Sequence, residues 1–541
     1  MSQMKIALVP LNPIVGDVFG NAEKITGFVR EAIAKECQLV VFPELSLIGY
    51  PPRDLVHLSI LRERQSEVLH QLLRLSKKIT IIVGGIDQHK GTGPALTNTA
   101  YVLRNGQKLR YTKRLLPNYD VFDEPRYFSP GKKPLCFKLG GLKIALTICE
   151  DIWFDEASVR HLYRVPIKNE LKRLKPDLII NIAASPYDID KNMRRQRLFS
   201  QVARELGSPL IFINQSGAND DLIFDGKISV TSEEGQMLFE SPGFQERIFI
   251  FDTLAKQNPL PSIREDKTAQ LNSLKKALVT GIQDYVQKTG GKDVVLGLSG
   301  GIDSALVAQL ATEALGAENV LGVLMPSRYS SRGSIIDARE LARRLKIDTV
   351  TIDIEPLHRL YERSFKKIFG HGGTKETTAQ NIQARLRGNL LMAISNNTGR
   401  LLLNTTNKSE MAMGYGTLYG DMCGALGVIA DLTKTLVYKL ARHLNPHFEI
   451  IPEQIMSKIP SAELKPNQKD SDTLPEYDTL DPLVEQWVTL ENISQTDFKQ
   501  HAKLLKTLWQ NEFKRKQSAI GLRVTAKSFG SGRRMPVVGK L

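Results

Sequence analysis

Short, nearly continuous apolar runs recur through the first half of the chain. Lys5–Leu11, Gln38–Glu44, Thr80–Ile86, Asn98–Leu103, Leu142–Glu150, Pro176–Ser185 and Pro209–Gly217 each read as a strand. Side chains alternate sides along a strand, so a run that is apolar at successive positions is buried on both faces of its sheet. Between these runs, Ala22–Glu36 and Leu58–Lys77 carry apolar residues at the spacing of an amphipathic helix. The pattern predicts a layered α/β unit over residues 1–252.

The pattern breaks after Asp252. Thr253–Gln270 holds two nearby prolines, polar residues and no periodicity, and reads as a linker. A helix is predicted at Leu271–Lys288, then a strand at Val294–Leu298. Further strands at Val320–Leu324, Thr349–Ile354 and Arg400–Leu403 alternate with helical segments. That alternation predicts a second α/β unit over residues 271–541, built on a doubly wound parallel sheet. The tail from Phe513 onward is basic and glycine-rich.

Composition adds limits to this picture. A chain of 541 residues is too long for one core, and 42% hydrophobic with 24% charged residues is ordinary for a globular protein. The start, MSQMKIALVPL, lacks the basic and apolar segments of a secretory signal. No apolar stretch approaches the roughly 20 residues of a spanning helix. A cytoplasmic protein without a membrane partner is expected. The four cysteines, Cys37, Cys136, Cys149 and Cys423, form no CxxC pair, so each is either a small buried hydrophobe or a nucleophile. A net charge of +15 suits an anionic partner, either nucleic acid or phosphate-bearing small molecules, and equally suits a solvated basic surface.

Candidate chemistry in the second half centres on VVLGLSGGIDSALVAQLA (Val294–Ala311). A buried strand runs into Ser299-Gly300-Gly301-Ile302-Asp303-Ser304, and a helix follows directly. Glycines let the backbone turn sharply and approach a ligand, and the helix start offers unpaired N–H groups to an anion. Ser299 and Ser304 add hydroxyls, and Asp303 adds a carboxylate able to hold a Mg2+ ion that bridges phosphates. The GK[ST] ending of a Walker A loop is absent.

This hexapeptide resembles the SGGxDS loop of enzymes that split ATP into AMP and pyrophosphate. Together with Gly322–Ser331, Thr378–Asn396 and Leu401–Thr435 it resembles the synthetase domain of NAD+ synthetases. The resemblance implies an adenine nucleotide α-hydrolase-like fold. It implies that Gly297, Leu298, Ser299, Gly300, Gly301, Ile302, Asp303, Ser304 and Thr405 bind ATP as substrate. Asn381, Glu410 and Lys514 would contact deamido-NAD+, and Asp303 and Glu410 would share Mg2+. Taken alone, Asn381 reads equally as a helix-start cap. Ser461–Pro482 is polar and long, and reads as a mobile loop: a lid over this site, or plain surface disorder.

In the first half, Cys149 ends an apolar strand, a place that exposes a nucleophile beside backbone N–H groups able to receive an oxyanion. A thiol of ordinary pKa needs a neighbouring base or cation. Glu44 ends another strand, and Lys113 lies in RYTKRLLPNYDVFDEPRYF (Arg110–Phe128). Glutamate after FP, then the lysine segment, then strand-Cys-Glu-Asp, in that order over Met4–Asp252, resemble the nitrilase superfamily. That resemblance implies an αββα sandwich with Glu44 as general base, Cys149 as nucleophile and Lys113 stabilising the tetrahedral intermediate. Glu124 matches a further acidic residue of the site. Tyr119, Ser185 and Lys191 match glutamine-binding positions, although Ser185-Pro186 also reads as a simple turn. Cys37, Cys136 and Cys423 lack such context and are expected to be structural.

The two halves in this order resemble the glutamine-dependent NAD+ synthetases. The expected reaction amidates deamido-NAD+ with ammonia released from glutamine through a Cys149 thioester, using ATP and Mg2+. The expected protein is a homo-oligomer acting on small molecules, without nucleic acid. Competing readings lack their residues. A GMP synthetase-like enzyme needs a Cys–His–Glu glutaminase, which is not seen. An asparagine synthetase-like enzyme needs an N-terminal cysteine where this chain has Ser2. A tRNA sulfur transferase usually needs a cysteine pair in the second half, where Cys423 stands alone. A nucleotide-binding scaffold without chemistry would show a broken triad or lack the loop aspartate.

Overall fold

The computed structural model describes residues 4–153, 167–253, 255, 258–261, 266–370, 375–490 and 493–538. The chain divides into two compact units, Met1–Asp266 and Lys267–Leu541.

The first unit opens with β1 (Lys5–Leu8), α1 (Val18–Ala34), β2 (Leu39–Val41), α2 (Ser59–Leu75), β3 (Thr80–Gln88), β4 (Leu96–Arg104) and β5 (Gln107–Thr112). It continues with β6 (Leu135–Leu139), β7 (Leu142–Ile148), α3 (Ile167–Leu174), β8 (Leu178–Ala183), α4 (Lys191–Leu206) and β9 (Leu210–Asn214). Five short strands follow: β10 (Ser216–Asn219), β11 (Leu222–Asp225), β12 (Ile228–Thr231), β13 (Met237–Glu240) and β14 (Phe249–Asp252). One six-stranded sheet has the order β14-β1-β2-β3-β4-β5, and the other β13-β12-β9-β8-β7-β6.

Strand periodicity explains why these sheets stack. On β1 and β2, Ile6, Leu8, Leu39 and Val41 share one core with Ile144, Leu146 and Ile148 of β7. The alternate positions, Ala7 and Val40, join Ile25 and Val29 of α1 and Leu69 and Leu72 of α2. Each such valine, leucine or isoleucine side chain contributes about 1.5–3 kcal/mol when fully buried. On the other sheet, Phe199 of α4 packs on Phe212 of β9, with ring centroids 4.6 Å apart. The layers are therefore helix, sheet, sheet, helix: an αββα sandwich.

The second unit contains α5 (Lys267–Lys288), β15 (Val294–Gly297), α6 (Ile302–Leu315), β16 (Val320–Leu324), α7 (Arg332–Leu345) and β17 (Asp348–Thr351). Next come α8 (Glu355–Phe369), α9 (Glu376–Thr398), β18 (Leu401–Asn404), α10 (Lys408–Met413), β19 (Leu426–Gly427) and α11 (Lys434–Leu444). The last elements are α12 (Glu453–Ser457), α13 (Tyr477–Thr489), α14 (Gln495–Gln500), α15 (Ala502–Gln510), α16 (Glu512–Arg515) and β20 (Ile520–Gly521). The sheet order is β17-β16-β15-β18-β19-β20, and every pairing is parallel. Chain order reverses at β15, so the crevice beyond the C-terminal ends of β15 and β18 is the switch point, where such sheets bind ligands.

Two expectations change. Lys267–Gln270, read as linker, already form the first turn of α5, because the prolines that break the pattern, Pro259 and Pro261, lie upstream. The long loop expected to run to Pro482 ends at Glu476, since Tyr477–Pro482 begin α13 with Pro482 inside the helix.

Two candidate active sites

Three strand ends of the sandwich converge on one cluster in the first unit. Glu44 lies three residues past β2, Lys113 directly follows β5, and Cys149 directly follows β7. Lys113 Nζ donates to Glu44 Oε1 and to Glu124 Oε1, each at 2.7 Å. Glu44, Lys113 and Glu124 are all buried, as is Cys149. The lysine has three N–H bonds; two serve the carboxylates, and one is left for an incoming group. Glu44 Oε1 also accepts from Asn98 Nδ2 at 2.7 Å, and Oε2 accepts from the Ala184 backbone N–H at 2.8 Å. The Tyr50 hydroxyl donates to Glu124 Oε1 at 3.0 Å.

Cys149 turns the chain out of β7 with φ +44°, a left-handed conformation that costs a non-glycine residue about 1–3 kcal/mol. Asn181 of β8 holds that turn, donating from Nδ2 to the Cys149 carbonyl at 3.3 Å. Burial pushes the thiol well above its ordinary pKa; the Glu44 charge adds to the rise and Lys113 opposes it. The resting group is therefore a neutral thiol that needs a base. Burial alone would lower the Lys113 pKa, but Glu124 and Glu44 together raise it well above the ordinary value, so the ammonium stays charged. Burial raises Glu124 to about 7 against the pull of Lys113. Asn98 Oδ1 and Glu124 Oε2 are buried without a protein partner among the described residues, which marks polar space beside the cluster.

The expected glutamine-binding residues take different places. The Tyr119 hydroxyl donates at 2.8 Å to Glu150 Oε1, on the residue after Cys149. Ser185 follows Ala184, whose N–H holds Glu44. Its own N–H donates to Asn214 Oδ1 at 2.8 Å, and its carbonyl accepts from Arg195 Nη2 at 2.9 Å. Lys191 opens α4 and is half-buried. Cys37 is buried, Cys136 and Cys423 half-buried, and all are free thiols whose pKa burial raises.

In the second unit the loop Ser299–Ser304 sits at the switch point between β15 and α6. Gly300 has φ +77°, and a Cβ there would stand 2.3 Å from the Ser334 carbonyl oxygen. The Ser299 and Ser304 hydroxyls are 3.1 Å apart, and Ser299 Oγ accepts from the Gly301 N–H at 3.2 Å. The loop thus opens the N-terminus of a 14-residue helix, with its unpaired N–H groups and positive dipole end.

Asp303 is drawn to the neighbouring strand end. Asn407, after β18, donates from Nδ2 to Asp303 Oδ1 at 3.0 Å. The same Asn407 caps α10 in a reciprocal box with Glu410, at 3.0 and 3.4 Å. Lys434 Nζ stands 2.5 Å from Asp303 Oδ2 and 3.6 Å from Glu410 Oε1. Both acids therefore reach one cation. Burial and the Asp303 charge push Glu410 up to about 8 against Lys434. Among the described residues no cluster of three His, Cys, Asp or Glu is placed to hold a metal by itself. Mg2+ is commonly held by one or two carboxylates plus substrate phosphates, and the Asp303–Glu410 pair fits that donor set.

Asn381 lies inside α9 rather than at its start, where Lys375 holds the cap position, and its Oδ1 accepts from the Thr417 hydroxyl at 2.8 Å. The cap reading is therefore excluded. Thr405 follows β18 and is half-buried. Lys514 Nζ donates to the Gly414 and Gly416 carbonyls at 2.7 and 2.9 Å, in the turn that leaves α10. A cavity of about 380 Å³ opens beside α9, lined by Tyr329, Gln380, Gln383, Leu464 and Asp472 among others. Sequence reasoning missed Asn98, Asn181, Asn407 and Lys434. For Asn407 a signal existed, because Asn-Lys-Ser-Glu is a capping box.

Residues 5–253 match the carbon-nitrogen hydrolase family, and residues 274–518 match the NAD synthase family. The chain is 43% identical to the glutamine-dependent NAD(+) synthetase of Synechocystis sp., with 98% of each chain covered. It is 39% identical to the enzyme of that name from Thermotoga maritima, over 100% of this chain and 99% of the relative. A solved structure of glutamine-dependent NAD+ synthetase from Acinetobacter baumannii in complex with ADP is 34% identical, with a TM-score of 0.79 over 99% of this chain and 98% of that one.

Proposed function

The chain belongs to the glutamine-dependent NAD(+) synthetases, and from that premise we infer which of its residues carry each half of the reaction. The enzyme is a carbon–nitrogen ligase that amidates deamido-NAD+ to NAD+ with nitrogen from glutamine, cleaving ATP to AMP and pyrophosphate. The observation that carries the residue assignment is the buried cluster in which Lys113 bonds to Glu44 beside the strand end of Cys149.

In the first unit Glu44 takes the proton from Cys149 Sγ as the sulfur attacks the glutamine side-chain carbonyl. The free N–H of Lys113 receives the oxyanion. The tetrahedral species collapses, ammonia leaves with the proton returned from Glu44, and a glutamyl thioester remains. Water, deprotonated by Glu44, then releases glutamate and restores the thiol. Tyr119, Ser185 and Lys191 hold the α-amino and α-carboxylate ends of glutamine, and Glu124 fixes the lysine.

In the second unit the N-terminus of α6, with Gly297–Ser304 and Thr405, binds the ATP phosphates. Asn381, Glu410 and Lys514 orient deamido-NAD+. Its nicotinate carboxylate attacks the α-phosphorus, pyrophosphate leaves, and ammonia displaces AMP from the acyl adenylate. Asp303 and Glu410 would hold Mg2+, which supplies positive charge to the phosphates when bound. We place the enzyme in the cytoplasm as a homo-oligomer acting on small molecules, without nucleic-acid or membrane partners. Among the described residues no helix is long and apolar enough to cross a membrane. The homo-oligomer is supported by α8, which leaves Leu357, Leu360, Tyr361, Ile368 and Phe369 exposed.

Asp303→Ala tests the division of labour. NAD+ formation is expected to fall by at least about 100-fold with either glutamine or ammonium, the scale of losing one transition-state charge contact. Hydrolysis of glutamine should persist. Normal ammonium-dependent turnover in this variant would remove Asp303 from the phosphate chemistry.

A further inference from the structure

The nucleophile and its lysine stand on different sheets, Cys149 after β7 and Lys113 after β5, yet one side chain bonds to the backbone beside both. Asp151 is fully buried, two residues past Cys149. Its Oδ1 accepts from the backbone N–H groups of Arg114 and Leu115, at 3.0 and 2.8 Å. These residues directly follow Lys113. Its Oδ2 accepts from the backbone N–H of Ile148 at 3.0 Å, directly before Cys149, and from the Tyr111 hydroxyl of β5 at 2.7 Å. Four donors fill the acceptor directions of a carboxylate, so none is left for a substrate.

The reaction needs what this clamp supplies. Cys149 holds a strained backbone conformation, which persists where the surroundings over-determine it. The ammonium of Lys113 must also stand within hydrogen-bond reach of the oxyanion, and a displacement of about 1 Å in such geometry costs on the order of 100-fold in rate. We propose that Asp151 is a positioning residue for amide cleavage: its two oxygens lock the strand end carrying Lys113 against the turn carrying Cys149, keeping oxyanion donor and nucleophile in register. The proposal rests on the assignment of Cys149 as nucleophile and Lys113 as oxyanion donor.

Asp151→Asn separates the two sides of the clamp. An asparagine oxygen still accepts from Arg114 and Leu115, but its NH2 then faces the Ile148 N–H, donor against donor. The test combines steady-state kinetics with rapid-quench measurement of the glutamyl thioester in the full-length enzyme. Thioester formation and glutamine-dependent kcat are expected to fall about 30- to 300-fold, with KM for glutamine within about 3-fold. Ammonium-dependent synthesis in the same preparation should stay within about 2-fold, since it bypasses this unit. Thioester formation near the parent rate, or a loss carried mainly by KM, overturns the proposal. If Asp151→Asn loses the first unit's thermal transition, Asp151→Glu carries the test. It keeps charge and both acceptors but is one methylene longer, so the same kcat loss at constant KM is expected, and unchanged kcat overturns the proposal. Cys149→Ala separates the two levels. If that variant still uses glutamine, the underlying assignment fails; if it does not while Asp151→Asn acylates normally, the clamp alone fails.

Discussion

Lys113 is bonded to two carboxylates at once, and its charge opposes the rise that burial gives Glu124. Burial pushes Glu124 up to about 7 from an ordinary 4.5, with Lys113 opposing and the Glu44 charge adding to the rise. A carboxyl whose pKa rises on folding stabilises the fold in its neutral form. That contribution is present in full below the unfolded value and is lost as pH rises through about 7. Glu124→Gln is neutral at every pH and escapes the loss. The thermal midpoint of the first unit, variant minus parent, is therefore expected to be more positive near about pH 8 than near about pH 5. A difference that shrinks over this interval contradicts the raised pKa. Glu44 and Cys149 stood out at the ends of apolar strand runs, and Lys113 through the segment Arg110–Phe128; the fold brings Lys113 onto Glu44. The contacts of Asn98 and of Asp151, which the sequence showed only as the last residue of the Cys-Glu-Asp run, were not legible, because they are tertiary. Asn98 meets Glu44 across 54 residues, and Asp151 meets Leu115 across 36.

At the scale of elements, the turn from β15 into α6 depends on one glycine. Gly300 needs its left-handed φ and its bare Cα together, since a Cβ would enter the backbone of α7 at Ser334. The left-handed conformation costs an L-residue about 1–2 kcal/mol, and a 2.3 Å approach to a carbonyl forces the loop to move as well. Gly300→Ala is expected to reduce ATP-dependent synthesis at least about 10-fold with both nitrogen sources, while glutamine hydrolysis is kept. Parent-level synthesis would show that the loop tolerates the shift. Central strands such as β2, β7, β8 and β16 were legible as apolar runs. The edge strand β5 was not, because four of its six residues are exposed and polar or charged side chains dominate it. The two-residue strands β19 and β20 carry too little pattern to read. The segment read as a long loop carries side-chain contacts. Glu463 accepts from the Ser331 N–H and the Ser334 hydroxyl at 3.1 and 2.7 Å, and Gln383 donates to the Leu464 carbonyl at 2.9 Å. Such contacts leave no periodic trace in a sequence.

For the whole molecule, the net charge of +15 left nucleic acid and small phosphate-bearing substrates both open. The second unit favours the small substrates, because Lys434 joins two half-buried carboxylates, Asp303 and Glu410, at the switch point. Binding to bulk RNA at physiological salt is expected to be weak or absent, and tight, sequence-independent binding there would count against this account. One unit releases the ammonia that the other consumes, and this division is read from turnover of Cys149→Ala on deamido-NAD+ and ATP, with glutamine or ammonium as nitrogen source and AMP resolved from ADP. NAD+ formation from glutamine is expected to fall by at least about 1,000-fold. Ammonium-dependent formation is expected near the parent rate, with one AMP per NAD+. Continued use of glutamine, ammonium-dependent synthesis lost together with it, or ADP as the product would contradict this division.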